Sequence, residues 1–241
     1  MASTSDLQQQ ALTFYSTKDG SLLSDFNTLS LILHDSSNCP AWLITGIIQQ
    51  ALSKDNECYL SPQAPKVTKA TIPTFLYSFT NTEQTYSKCF QKYINSNKDF
   101  LKFTSYLSDS SKDPSKFSTD VLQDVGKVEE KPFVIIENPE LLLSIVPGMT
   151  IIQLLSQLNE IQKHTTLYIV TSTSPNKSSL LSMLLHRSSL IITLTALTTG
   201  RADDMSGTLS VSPGPIKSKQ NVSDRQYSYL VSTNNVKLFY K

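Results

Sequence analysis

The chain has 241 residues, with 21 Lys and Arg against 20 Asp and Glu, for a formal net charge of +1. That balance supplies no global field for nucleic acid or an anionic membrane, so any such contact must come from a local cluster. The seven glycines include neither the pair spaced for a Walker A loop nor the pair of a dinucleotide fingerprint, which excludes both standard phosphate cradles.

The length supports one sizeable core, burying about 70–75% of the surface an unfolded chain exposes. Serine and threonine make up about a quarter of the chain, suited by their hydroxyls to caps and turns. Cys39, Cys58 and Cys89 form no CxxC motif and are odd in number, the pattern of reduced thiols in a cytoplasmic or nuclear protein. The start shows no basic segment followed by an apolar run, so secretion is not indicated. The uncharged stretch 141–159 is broken by Ser144, Pro147, Gly148, Gln153 and Gln157, which suits a buried helix pair better than a membrane span.

Residues 1–25 read as an irregular N-terminal segment. Leu29 to Leu33 is an apolar strand, followed by a polar turn from His34 to Cys39 and a helix from Pro40 to about Ser53. Ile72 to Phe79 is a second strand, Tyr86 to Ile94 a helix face, and Phe100 to Leu107 a third strand. The polar tract 108–118 is expected to be a mobile surface loop. Pro132 to Glu137 is a central strand ending on an acid, with a turn at Asn138-Pro139. The spacing of Ile151, Leu154, Leu155, Leu158 and Ile161 predicts a helix over 150–163, feeding a strand at Leu167 to Val170. A short helix around Leu180 to Leu185 and a strand at Leu190 to Leu197 follow. Three alternating runs, beginning at Gly207, Tyr227 and Val236, read as antiparallel strands added at an edge. The whole is one α/β domain over 1–241, with a mostly parallel sheet covered on both faces.

Three stretches carry a resemblance. They are Phe133-Val-Ile-Ile-Glu-Asn-Pro-Glu-Leu-Leu-Leu-Ser-Ile-Val-Pro-Gly-Met-Thr150, then Thr199-Gly-Arg-Ala-Asp-Asp-Met-Ser-Gly-Thr-Leu-Ser-Val211, then Tyr227-Ser-Tyr-Leu together with Lys237 to Lys241. In order and spacing they resemble the Elongator complex protein 6 family, particularly its fungal members. The match is specific over about 130–241 and weaker before, where Leu29 to His34 and Pro40-Ala41-Trp42 fall at the family's first strand and helix. The resemblance implies a RecA-like fold without its nucleotide-binding loop. It further implies assembly with two sibling RecA-like Elongator subunits into a hetero-hexameric ring, which binds tRNA and serves wobble-uridine (U34) modification by the rest of the complex.

The turn His34 to Cys39 stands where a RecA-like ATPase carries its phosphate loop, yet it has no glycine and no lysine, and Asp35 repels phosphate. No nucleotide site and no cofactor are expected. Glu137 stands where a Walker B acid holds Mg²⁺-bound water; with no phosphate cradle, it is expected, with Glu140, to serve the N-terminus of the helix beginning near Pro139. His34, His164 and His186 fall on separate elements without metal-ligand spacing, and no nucleophile elbow is present, so neither a metal site nor catalysis is expected. Loops after the later strands of a RecA-like ring tend to face its pore. Lys177, Arg187, Arg201, Lys217 and Lys219 are therefore the candidates for contacting an RNA backbone, against the plainer reading as solvated surface. Arg201 also has a possible partner in Asp203 or Asp204. An alternative from another class is a degenerate ATPase subunit that lends Arg201 in trans to a neighbour's nucleotide.

Overall fold

The computed structural model describes residues 9–16, 22–24, 26–55, 58–62, 70–93, 98–173, 178–197, 205–232 and 235–240. Within them the chain forms β1 (Leu29–His34), α1 (Ala41–Leu52), β2 (Thr74–Ser78), α2 (Glu83–Tyr93), β3 (Leu101–Ser105), α3 (Phe117–Val125), β4 (Phe133–Glu137), α4 (Leu142–Ile145), α5 (Ile151–His164), β5 (Thr166–Ser172), α6 (Ser178–Arg187), β6 (Leu190–Thr195), β7 (Gly207–Pro213), β8 (Arg225–Val231) and β9 (Val236–Tyr240). The strands pair in one sheet in the order β3-β2-β4-β5-β1-β6-β7-β8-β9. The first six are parallel to their neighbours, and β7, β8 and β9 continue the sheet antiparallel. Fold class and element order thus agree with the sequence reading: a RecA-like α/β architecture with an antiparallel extension.

Runs such as Leu-Ser-Leu-Ile-Leu in β1 have no polar face because helices cover both sides. α1 and α2 pack on one face, where Ile32, Leu76, Ile135 and Tyr168 join Leu43, Ile47, Tyr86 and Phe90. α3, α4, α5 and α6 cover the other, over Leu31, Leu33, Ile136 and Ile169. The antiparallel strands contribute Leu209, Val211, Tyr227, Tyr229 and Leu238 to the first cluster alone. In the N-terminal segment, Leu12, Phe14 and Leu22 are fully buried in that same cluster without forming a helix or strand.

The uncharged stretch 141–159 is divided as its breakers suggest. α4 ends before a turn at Gly148, whose φ of 76° would strain any residue with a Cβ. Thr150 then caps α5: its Oγ1 accepts the Gln153 N–H, and Gln153 Oε1 accepts the Thr150 N–H at 2.9 Å. Among the described residues no helix is long and apolar enough to cross a membrane. One helix was not anticipated. The tract 108–118 contains a 3-10 turn at Pro114–Lys116 and the first residues of α3, with Phe117 buried against Tyr77, Phe79 and Tyr106.

Candidate functional site at the carboxyl end of the sheet

At the carboxyl end of β1 the chain turns through Asp35 into α1, and the turn is held by its own acid. Asp35 Oδ1 accepts the Ser37 hydroxyl at 2.7 Å and the Ser37 N–H at 3.1 Å, while Oδ2 accepts the Ala196 N–H just beyond β6 at 2.7 Å. Partial desolvation works against the carboxylate, but these bonds outweigh it and hold its pKa below the usual aspartate value. Both oxygens are thereby engaged in closing the turn, and the carboxylate ties β1 to β6.

Connections leave β1 toward β2 across one face, whereas β6 continues into the antiparallel strands. Diverging connections open a crevice at the carboxyl ends of neighbouring strands, where α/β folds place ligands. Here it is a cavity of about 690 Å³ whose wall includes Asn38, Cys39, Trp42, Cys89, Met205 and Tyr229. The Trp42 and Tyr229 rings lie 5.0 Å apart, and the Tyr229 hydroxyl donates to Asn38 Oδ1 at 2.8 Å. Burial, then the negative charge of Asp35, raises the Tyr229 pKa, so the hydroxyl keeps its proton. Gly207 makes this packing possible: a Cβ there would lie 2.6 Å from both the Tyr229 hydroxyl and the Thr195 carbonyl oxygen. The described wall combines aromatic, aliphatic and thiol groups with the polar side chains of Ser37, Asn38 and Ser206.

Glu137, at the end of β4, is 1% exposed. Its carboxylate accepts hydrogen bonds from Ser78 Oγ at 2.6 Å, Asn81 Nδ2 at 2.7 Å and Tyr86 Oη at 2.9 Å. This corrects the expectation that it caps the helical turn after Asn138. The bonds run sideways to β2 and α2 instead, because Glu137 shares a sheet face with Ser78 and lies in register with it. Burial first, and then the Glu137 charge, pushes the Tyr86 pKa well up, so this hydroxyl too remains a donor.

No family model matches the chain. Along 98% of its length it aligns with Elongator complex protein 6 of Saccharomyces cerevisiae, at 28% identity over 275 residues and covering 99% of that protein. This chain resembles Elongator complex protein 6 from end to end. Its backbone is similar to a KaiC-like protein from Pyrococcus horikoshii, with a TM-score of 0.62, 12% identity, and coverage of 97% of this chain and 99% of the other. That likeness shows the fold, which agrees with the RecA-like reading. Parts of two of the segments that carry the resemblance, Met205-Ser206 and Tyr229, line the crevice together with Ala41-Trp42, whereas the stretch from Phe133 to Thr150 lies elsewhere.

Of the five basic candidates, the three that fall among the described residues do not line the crevice. Lys177 and Arg201 lie outside the described residues, as do Asp203 and Asp204. Arg187 is at the opposite end of the sheet, where its guanidinium donates to Asn159 Oδ1 at 2.6 Å. Exposed Lys217 and Lys219 follow β7 at that same end, since the N–H groups of Gly214 and Ile216 bond to the carbonyls of Ser189 and Ser188. The three histidines stay apart: His34 contacts the Asp35 carbonyl, and His164 lies 3.5 Å from Glu160. Among the described residues no group of three His, Cys, Asp or Glu side chains could hold a metal. The aromatic wall of the crevice escaped the sequence reading, because Trp42 and Tyr229 are brought together only by the fold.

Proposed function

We propose that this chain is a non-catalytic subunit of Elongator, acting in a hetero-hexameric RecA-like ring with two sibling subunits in the cytoplasm and also the nucleus. The ring binds tRNA and supports wobble-uridine modification carried out by the rest of the complex. The observation that carries this reading is the alignment with Elongator complex protein 6 over nearly the whole of both chains. Two features of the site support a non-catalytic role. The turn after β1 has no glycine or lysine to hold phosphate, and Glu137 is already bonded to three side chains.

RNA contact is assigned to Lys177, Arg187, Arg201, Lys217 and Lys219. The full chain, mixed with its siblings, is expected to form a ring by light scattering, and the ring to bind tRNA with an affinity that falls with salt. Replacing Lys177, Arg201, Lys217 and Lys219 together with alanine should leave assembly intact. It should weaken tRNA binding and flatten the dependence of log K on log salt by about 0.7–0.9 for each phosphate that is no longer neutralised. Parent affinity and parent slope in that variant would return these residues to solvated surface.

A further inference from the structure

Sulfur is sparse in this chain, which has three cysteines and four methionines, yet it is concentrated at one place. Cys39, Cys89 and Met205 all stand in the wall of the crevice of about 690 Å³ at the carboxyl end of the sheet. They reach it from three separate elements: Cys39 from the turn ahead of α1, Cys89 from α2, and Met205 from the segment leading into β7. Cys39 is exposed and the other two are half-buried, whereas the Trp42 and Tyr229 rings of the same wall are 7% and 1% exposed. A solute entering the crevice therefore meets sulfur before it meets an aromatic face. Cys58 differs from this set, because it is buried in the core and its thiol donates to the Gly46 carbonyl at 3.2 Å.

The donor set selects the ligand. Thiolates and thioethers are soft, and they favour Cu(I) over Mg²⁺, Ca²⁺ and Mn²⁺. No carboxylate or imidazole is among the described lining residues, so the oxygen ligands that the harder cations require are missing from the wall. Zn²⁺ draws on thiolate, imidazole and carboxylate but not on thioether, and would find only two ligands here. A monovalent d10 ion accepts two or three sulfur donors, which matches the set. Met205 suits the third place, since its unbranched side chain with three rotatable bonds adapts to the two thiols. We propose that the crevice is a site for a soft monovalent cation, Cu(I), held by the Cys39 and Cys89 thiolates with the Met205 thioether in support. Binding exchanges two S–H bonds for two Cu–S bonds and releases two protons, with no change of oxidation state. The site rests on the crevice alone and is independent of ring assembly and of RNA contact.

The test titrates the reduced full chain, under anaerobic conditions, with Cu(I) held by a chromogenic chelator of the bathocuproine class. One Cu(I) per chain is expected to transfer, with a thiolate-to-copper charge-transfer band in the ultraviolet and about two protons released per ion in an unbuffered titration. Cys39→Ser and Cys89→Ser should each weaken binding about 100-fold or more, at least what the loss of an outer-shell partner costs at a metal site. Met205→Leu should lose about tenfold, and Cys58→Ser should bind as the parent does. Thermal melting checks each variant, and Cys39→Ser is the deciding one because its exposed turn position leaves the core intact. Parent affinity in Cys39→Ser, loss of copper in Cys58→Ser, or binding without proton release would overturn the assignment. So would a parent chain that draws no copper from the chelator.

Discussion

The ends of β1 and β4 make an instructive pair. Each carries an acid at a position where a nucleotide-handling fold would place its working groups, and in each the acid is occupied by hydrogen bonds within the chain. Around Asp35 the donors are local backbone and one serine hydroxyl, apart from the Ala196 N–H, and the site is open to water. Around Glu137 the donors are three side chains from β2, the loop after it and α2, and water is excluded. The same chemical group is therefore a turn-closing device at one strand end and a tertiary clamp at the other, and burial makes the difference.

That contrast orders the expected effects of substitution. Glu137→Ala leaves the Ser78, Asn81 and Tyr86 donors without their acceptor, and should cost about 3–5 kcal/mol in urea unfolding. A loss under about 1 kcal/mol would mean that the clamp is not a clamp. Tyr86→Phe deletes one donor but keeps the ring stacked on Phe90 at a centroid distance of 5.3 Å, so about 1–2 kcal/mol is expected by the same measurement.

A third acid, Asp124, sharpens the comparison through pH. Burial disfavours its charge, but hydrogen bonds from Lys102 at 2.6 Å and Tyr77 at 2.9 Å, with Lys127 nearby, keep its folded pKa below the ordinary value. A carboxyl lowered in the folded state contributes stability that is fully present above the unfolded value of about 3.9 and is lost as pH falls through the folded one. Asp124→Asn should therefore destabilise the protein by about 1 kcal/mol at neutral pH. Thermal melts should show that gap narrowing steadily between about pH 5 and pH 2. A gap that widens in acid would contradict the assignment. The smallest effect belongs to Asp35→Ala, about 0.5–1 kcal/mol, because water can replace most of what the turn loses. Chemical denaturation that places it level with Glu137→Ala would erase the distinction between the two strand ends.

The sequence made the alternating elements legible because their signals are local. The β1 run, the helical spacing of α5 and the antiparallel runs after Gly207 can each be read within a short window. α3 also had the helical spacing, with Phe117, Val121 and Val125, but the serine- and lysine-rich tract before it reads as loop. Phe117 is recruited into the core by aromatic partners from other elements. Glu137 lies 51 to 59 residues from the side chains that bind it, and Tyr229 lies 191 from Asn38, so no window along the chain contains either arrangement. The crevice was not legible in the sequence, and the sheet order explains why Trp42 and Tyr229 meet there.

Isothermal titration of the purified full-length chain with MgATP tests the central claim most directly, namely that the strand ends of this RecA-like fold serve structure and assembly in place of nucleotide chemistry. The account predicts no saturable heat up to about millimolar nucleotide, a regime weaker than about 4 kcal/mol of binding. Saturable binding at micromolar MgATP, abolished by substitutions in the turn from Asp35 to Cys39, would contradict it.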